Sequence, residues 1–139
     1  VKVVLDPGVF VSALIAPKGA PGQLLDLLLE DRFEVIVSQR LLNELTGVLL
    51  RTKFRRYASP AEVHQLVAEL SAIAIMADDP SDPPSVTRDP GDDYLVALAV
   101  GAGADALVSG DRDLTDLTGA GVTVLTPRGL IEQLDDLSR

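Results

Sequence analysis

The sequence predicts an α/β fold: a single domain over residues 1–139, built on a mostly parallel sheet flanked by helices. Three observations predict it. Short runs of β-branched and aliphatic residues alternate with helical patterns along the chain. The first run, Lys2 to Leu5, is almost continuously apolar, as expected of a strand buried on both faces. Helix-start residues follow directly on strand-like runs, Ser38 after Val37 and Thr126-Pro127 after Leu125. At 139 residues the chain is large enough for one real core, and no internal repeat or low-complexity tract divides it.

After the first strand, a short helix is expected from Val9 to Ala16, ended by Pro17 and Gly19. Pro21 opens a second helix through Asp31, since proline suits a first turn. Its Leu24, Leu25, Leu27, Leu28 and Leu29 exceed one stripe, so it is either deeply packed or an oligomer surface. Glu34 to Val37 is the second strand. Ser38 caps a helix from Gln39 to Leu50, and Ser59-Pro60-Ala61-Glu62 is a capping-box signature. The helix that follows carries Val63, Leu66, Val67, Leu70 and Ile73 on one face. A short strand is expected within residues 73–77. The stretch 78–91, with Pro80, Pro83, Pro84 and Pro90, is a loop. A helix from Asp92 to Ala102, a strand from Ala106 to Ser109, a helical turn, a strand near Val122 to Leu125 and a final helix complete the chain.

Composition bounds the function classes. Hydrophobic residues at 47% and charged residues at 24% are ordinary for a globular protein. No apolar stretch reaches the ~18 residues of a membrane span. The chain begins straight in a strand pattern, without a basic segment or cleavage site for export. With no cysteine, disulfide frameworks, thiolate zinc sites and cysteine nucleophiles are excluded. The expected location is the cytoplasm. The net charge of −9 argues against a protein that holds nucleic acid chiefly by neutralising phosphates. It is compatible with processing a phosphodiester through bound cations, and with a basic protein partner.

Four acids far apart in the chain stand where such a fold would gather them. Asp6 closes the first apolar run and Asp111 a later one. Asp93 belongs to the run Asp89-Pro90-Gly91-Asp92-Asp93 before a helix, and Glu44 lies on the helix after the second strand. Each has a plainer reading. Asp6 and Asp111 can cap helices, Glu44 can pair with Arg40 four residues earlier, and Asp92 and Asp93 can simply complement a helix dipole. Capping does not explain why so many of these positions are acids rather than Ser, Thr or Asn. In a parallel α/β sheet, ligand sites lie beyond the carboxyl ends of the strands. Carboxylates gathered there repel one another unless they capture a cation. Oxygen donors without Cys or His suit Mg²⁺ or Mn²⁺. His64, in the amphipathic helix, reads as a surface residue.

The chain resembles the PIN domain family, in particular the toxin components of prokaryotic toxin–antitoxin systems. Four pieces carry the resemblance, in order. They are Val3-Val4-Leu5-Asp6 with Val9 to Leu14; Val37-Ser38 with Leu41-Leu42-Asn43-Glu44-Leu45; Arg88-Asp89-Pro90-Gly91-Asp92-Asp93 with Leu95 to Ala99; and Leu107 to Leu114. The resemblance implies a five-stranded parallel sheet and Mg²⁺- or Mn²⁺-dependent cleavage of single-stranded RNA. It implies a catalytic quartet of Asp6, Glu44, Asp93 and Asp111. Of these, Asp6, Asp93 and Asp111 would hold metal, with Asp92 and Asp113 as auxiliaries. It also implies an antitoxin partner and a homodimer, for which the leucine-rich second helix and the amphipathic helix at 62–73 are candidate surfaces. One position departs. The family usually follows its first aspartate with Thr or Ser and then Asn, and this chain has Pro7-Gly8.

That departure keeps open an alternative, a catalytically weakened PIN domain acting as a protein- or RNA-binding module. Phosphatases of the haloacid-dehalogenase type fit less well, because they carry a second Asp where this chain has Gly8. For substrate contact, Arg51, Lys53, Arg55 and Arg56 are the densest basic run. Phe54 and Tyr57 are interleaved there as potential stacking surfaces, and the plainer reading is a solvated loop between helices.

Overall fold

The structure is a computed structural model that describes residues 1–83, 85, 87 and 89–138; the expectations for Pro84 and Arg88 lie outside the described residues. Five parallel strands are formed by Lys2–Leu5 (β1), Glu34–Val37 (β2), Ile75–Met76 (β3), Ala106–Val108 (β4) and Val124–Leu125 (β5). Around them lie the helices Pro7–Ile15 (α1), Ala20–Leu29 (α2), Gln39–Leu49 (α3), Pro60–Ile73 (α4), Pro90–Gly101 (α5), Arg112–Thr115 (α6) and Pro127–Leu137 (α7). Among the described residues no helix is long and apolar enough to cross a membrane.

The strand order is β3-β2-β1-β4-β5. β1 is central because it is apolar on both faces: Val3, Val4 and Leu5 are fully buried. On one side Val3 pairs with Val35, and on the other Val3, Val4 and Leu5 pair with Ala106, Leu107 and Val108. Burying each such side chain contributes about 1.5–3 kcal/mol. The chain winds outward from β1 to β3, then crosses back to the other side of β1 for β4 and β5. That reversal places a crevice at the carboxyl ends of β1 and β4, where ligands of parallel α/β sheets bind.

Helix starts follow local chemistry closely. Ser38 caps α3 through the Leu41 N–H, and Ser59 and Glu62 form both bonds of the expected capping box. Thr126 caps α7, with Pro127 at its start. Two helices begin two residues earlier than expected, α1 at Pro7 rather than Val9 and α5 at Pro90 rather than Asp92. The reason is shared, since both open on Asp-Pro-Gly. Proline needs no hydrogen-bond acceptor at the first helical position, and the preceding aspartate accepts the glycine N–H, Gly8 to Asp6 at 3.0 Å and Gly91 to Asp89 at 2.9 Å. The Pro7-Gly8 departure therefore leaves a well-formed cap.

α2 buries Leu24 and Leu28, half-buries Leu25 and Leu27, and leaves Leu29 67% exposed. α4 buries Val63 and Leu70 while Ile73 is exposed, and His64 is on the surface as expected. Gly22 permits the close turn from α1 into α2, because a Cβ there would collide with the Pro17 carbonyl group and lie 2.7 Å from its Cα. Gly22→Ala is expected to lower Tm by roughly 5–10 °C, the effect of overpacking a site whose obstacle is backbone. Thermal unfolding followed by circular dichroism checks this.

Candidate active site

Asp6 and Asp111 are drawn together by one hydroxyl. Ser109, fully buried at the end of β4, donates to Asp6 Oδ2 at 2.8 Å and accepts the Asp111 N–H at 3.0 Å. The backbone reinforces the junction, with the Asp6 N–H donating to the Val108 carbonyl at 2.9 Å. Asp111 Oδ1 accepts the Asp113 N–H at 2.9 Å and so caps α6. Beside this pair lies a cleft of about 310 Å³, whose lining includes Asp6, Gly8, Ser12, Gly110 and Asp111. Both acids thus cap a helix and also line the cleft.

The first turn of α5 divides its acids. Asp92 has its carboxyl pushed up to about 6, first by burial and then by the negative charges of Asp89, Asp111, Asp6 and Asp113. Asp92 therefore feels the other acids of the crevice. Asp93, 7% exposed, is engaged elsewhere: its Oδ1 accepts the Thr87 N–H at 2.7 Å and the Thr87 hydroxyl at 2.8 Å. The sequence assigned the metal-holding place to Asp93 and an auxiliary one to Asp92. In the structure Asp92 shares the field of Asp6 and Asp111, and Asp93 ties the preceding loop to the helix.

Glu44 stands apart from the charges acting on Asp92. Its Oε1 accepts from Arg40 Nε at 3.2 Å, the i,i+4 pair that the spacing suggested. Arg40 lies with its guanidinium carbon 4.1 Å over the ring of Tyr94, a fully buried residue of α5. The Tyr94 hydroxyl bonds Ser38 and donates to Asp79 Oδ1 at 2.6 Å, and Asp79 Oδ2 accepts the Arg40 N–H at 3.2 Å. Burial and the bond to Asp79 push the Tyr94 phenol up to about 12. Burial alone would raise Asp79, but hydrogen bonds from Ser38, Tyr94 and Arg40 and the Arg40 charge outweigh it, and its carboxyl titrates below the usual value.

The basic run lies on the connection from α3 to α4, around a single 3₁₀ turn at Thr52–Phe54. Arg51, Lys53, Arg55 and Arg56 are exposed, but Phe54 is buried and Lys53 Nζ covers its ring at 5.1 Å. Arg56 stacks 4.9 Å over Tyr57 and donates to its hydroxyl at 2.8 Å. Cations of this chain already cover both aromatic rings, so stacking by bases is not the role the geometry favours for Phe54.

Ser109, Thr87 and the Ser38–Tyr94–Asp79 cluster were not anticipated as parts of a site. Ser109 carried a signal, a hydroxyl at the end of a wholly apolar strand. Among the described residues no three acidic or histidine side chains already stand at the spacing of a metal's ligands. The donor chemistry nevertheless fits a hard divalent cation. Asp6, Asp92 and Asp111 offer oxygen donors only, and burial, with the neighbouring carboxylates, disfavours charge on Asp92 when no cation is near.

The chain is 30% identical to an uncharacterized protein of Methanocaldococcus jannaschii over 97% of its length and 92% of that protein's. The fold is similar to PAE2754 from Pyrobaculum aerophilum, with a TM-score of 0.66, 16% identity, and 98% and 90% of the two chains covered. It is also similar to VapBC2 from Rickettsia felis, solved bound to a DNA fragment from its promoter (TM-score 0.61, 14% identity, 91% and 98% covered). FitAB bound to the IR36 DNA fragment gives a TM-score of 0.59 at 20% identity, with 90% and 94% covered. The PIN domain model matches residues 2–113, which hold all the acids discussed above, and the chain belongs to the PIN domain family.

Proposed function

We propose that the protein is a metal-dependent ribonuclease of the toxin type, hydrolysing phosphodiesters of single-stranded RNA with Mg²⁺ or Mn²⁺ and held in check by an antitoxin protein. PIN domains are generally nucleases that use divalent ions, and the reading assigns that chemistry to this crevice. The observation that carries it is the junction at Ser109, which holds Asp6 and Asp111 side by side at the carboxyl ends of β1 and β4, within the field of Asp92. Asp6, Asp92 and Asp111 would hold the cation, with Asp113 at the margin. When bound, the ion supplies charge neutralisation at the phosphate and a lower pKa for water. Ser109 fixes the carboxylate plane of Asp6. Asp93 takes a positioning role through Thr87, keeping the first turn of α5 in place. Glu44 would orient a water or accept its proton.

Partner binding has a candidate surface. Phe10, Leu25, Leu28, Leu66, Leu70 and Ile73 line an apolar groove between α2 and α4. It is the proposed seat of the antitoxin or of a second copy, and the similarity to VapBC2 and FitAB supports a partner. The exposed basic run at Arg51, Lys53, Arg55 and Arg56 is the proposed outer contact with the RNA backbone. The function is tested by incubating purified protein with a labelled single-stranded RNA. Cleavage with Mn²⁺ or Mg²⁺ that stops with EDTA is expected. Mn²⁺ without effect on either RNA or thermal stability would instead favour the binding-module reading.

A further inference from the structure

Glu44 is the member of the acidic set that the crevice does not itself hold, yet its side chain is not left to wander. Three links connect it to the core. Tyr94 is fully buried, and its hydroxyl is bonded by both Ser38 and Asp79. Arg40 lies flat on the Tyr94 ring at 4.1 Å, with its own N–H on Asp79 at 3.2 Å. Arg40 Nε then bonds Glu44 Oε1 at 3.2 Å. Tyr94 lies next to Asp93 and two residues from Asp92, so the same ring that supports Arg40 belongs to the helix start that brings Asp92 to the crevice.

An exposed i,i+4 ion pair in isolation contributes only about 0.3–0.5 kcal/mol and would not hold a carboxylate in one place. This pair differs because the guanidinium is itself immobilised on a buried ring, an arrangement open to arginine and poorly matched by lysine. The contact is also one-sided. Arg40 engages only Oε1, and among the described residues Oε2 accepts no hydrogen bond. Side-chain exposures of 46% for Arg40 and 39% for Glu44 leave that oxygen within reach of solvent.

We infer that Arg40 is a positioning residue for Glu44, held over Tyr94 so that one carboxylate oxygen is tethered and the other is left open to solvent, where the proposed mechanism needs it to meet a water. The inference rests on the ribonuclease reading. It makes Arg40 act through Glu44, not on the RNA directly.

A double-mutant cycle on the intact protein tests it, using Arg40→Ala, Glu44→Gln and the double variant with a labelled single-stranded RNA and Mn²⁺. Arg40→Ala is expected to lower kcat by ~10–100-fold, the usual effect of losing an outer partner of a metal site, with KM little changed. The double variant should be no slower than Glu44→Gln alone. Arg40→Lys, which keeps the charge but not the planar group, should restore only part of the loss. Independent, multiplying losses in the double variant, or a rise in KM as the main effect, would overturn the inference by making Arg40 a contact to substrate. Arg40→Ala cleaving like the wild type would overturn it as well. Wild-type protein that cleaves no RNA would overturn it together with the ribonuclease reading, an outcome distinct from the others. Circular dichroism melting of each variant separates these results from unfolding.

Discussion

Asp6→Asn is expected to abolish the proposed Mn²⁺-dependent RNA cleavage while leaving the protein folded. The expected loss exceeds the ~100-fold typical of an outer partner of a metal, because Asp6 would contribute a ligand oxygen directly. The fold survives because asparagine keeps the acceptor that Asp6 Oδ1 presents to the Gly8 N–H, and asparagine caps helices about as well as aspartate. With that oxygen on Gly8 the amide nitrogen faces Ser109, whose hydroxyl then accepts where it had donated. The paired measurement is initial cleavage rate and thermal midpoint on the same preparation. A folded Asp6→Asn protein that still cuts at wild-type rate would remove Asp6 from the mechanism.

Asp92→Asn separates the two neighbouring acids of α5, and its sign is opposite for stability and for activity. The Asp92 carboxyl is raised from 3.8 to about 6 in the folded protein, so the folded state binds this proton more tightly than the unfolded chain. Its contribution to stability is therefore complete below pH 3.8 and is lost as the pH rises through about 6. Without metal at pH 7.5, Asp92→Asn should be more stable than the wild type, by on the order of 1 kcal/mol once solvent screening is allowed for. The fall in stability between pH 4 and 6 should flatten. With Mn²⁺ the ranking reverses, since the wild type gains from ion binding and the variant does not. Cleavage by Asp92→Asn should drop more than ~100-fold. Asp93→Asn gives the contrasting result, a loss of stability at neutral pH from the weakened bonds of Thr87. Urea unfolding of both variants across pH 4–8, with and without Mn²⁺, checks the pair. An Asp92→Asn protein less stable than wild type at pH 7.5 without metal would contradict the charge crowding.

The neighbouring acids Asp92 and Asp93 also show what the sequence leaves undecided. β1, β2, α3, the capping box at Ser59 and the start of α7 were legible because their signals are local: apolar runs, caps and prolines at first turns. The acids at Asp6 and Asp111 were legible because strand ends in a parallel sheet point to one crevice. Adjacent residues on a helix, however, project about 100° apart, and only the helix's rotation against the sheet decides which one faces the site. In α5 an apolar stripe would reveal that rotation, but Tyr94, Leu95, Val96, Leu98 and Ala99 are all buried, leaving no stripe to read. β3 and β5, the two edge strands, are only two residues each. Ser109 was legible as a polar strand end but not as a bridge, since its two partners depend on the register of β1 with β4.

That register has a temporal consequence. β1 can find β2 once the first 37 residues have left the ribosome, but its other edge waits for Ala106–Val108. The bond from Ser109 to Asp6 spans 103 residues of chain, the sort of distant closure that comes late in folding. Through most of its synthesis the nascent chain holds Asp6 at a bare strand end, without the residue that orients it or the acid beside it. Until residues 106–111 have been made, the crevice lacks Ser109 and Asp111, so the candidate site is among the last parts of this fold to be assembled.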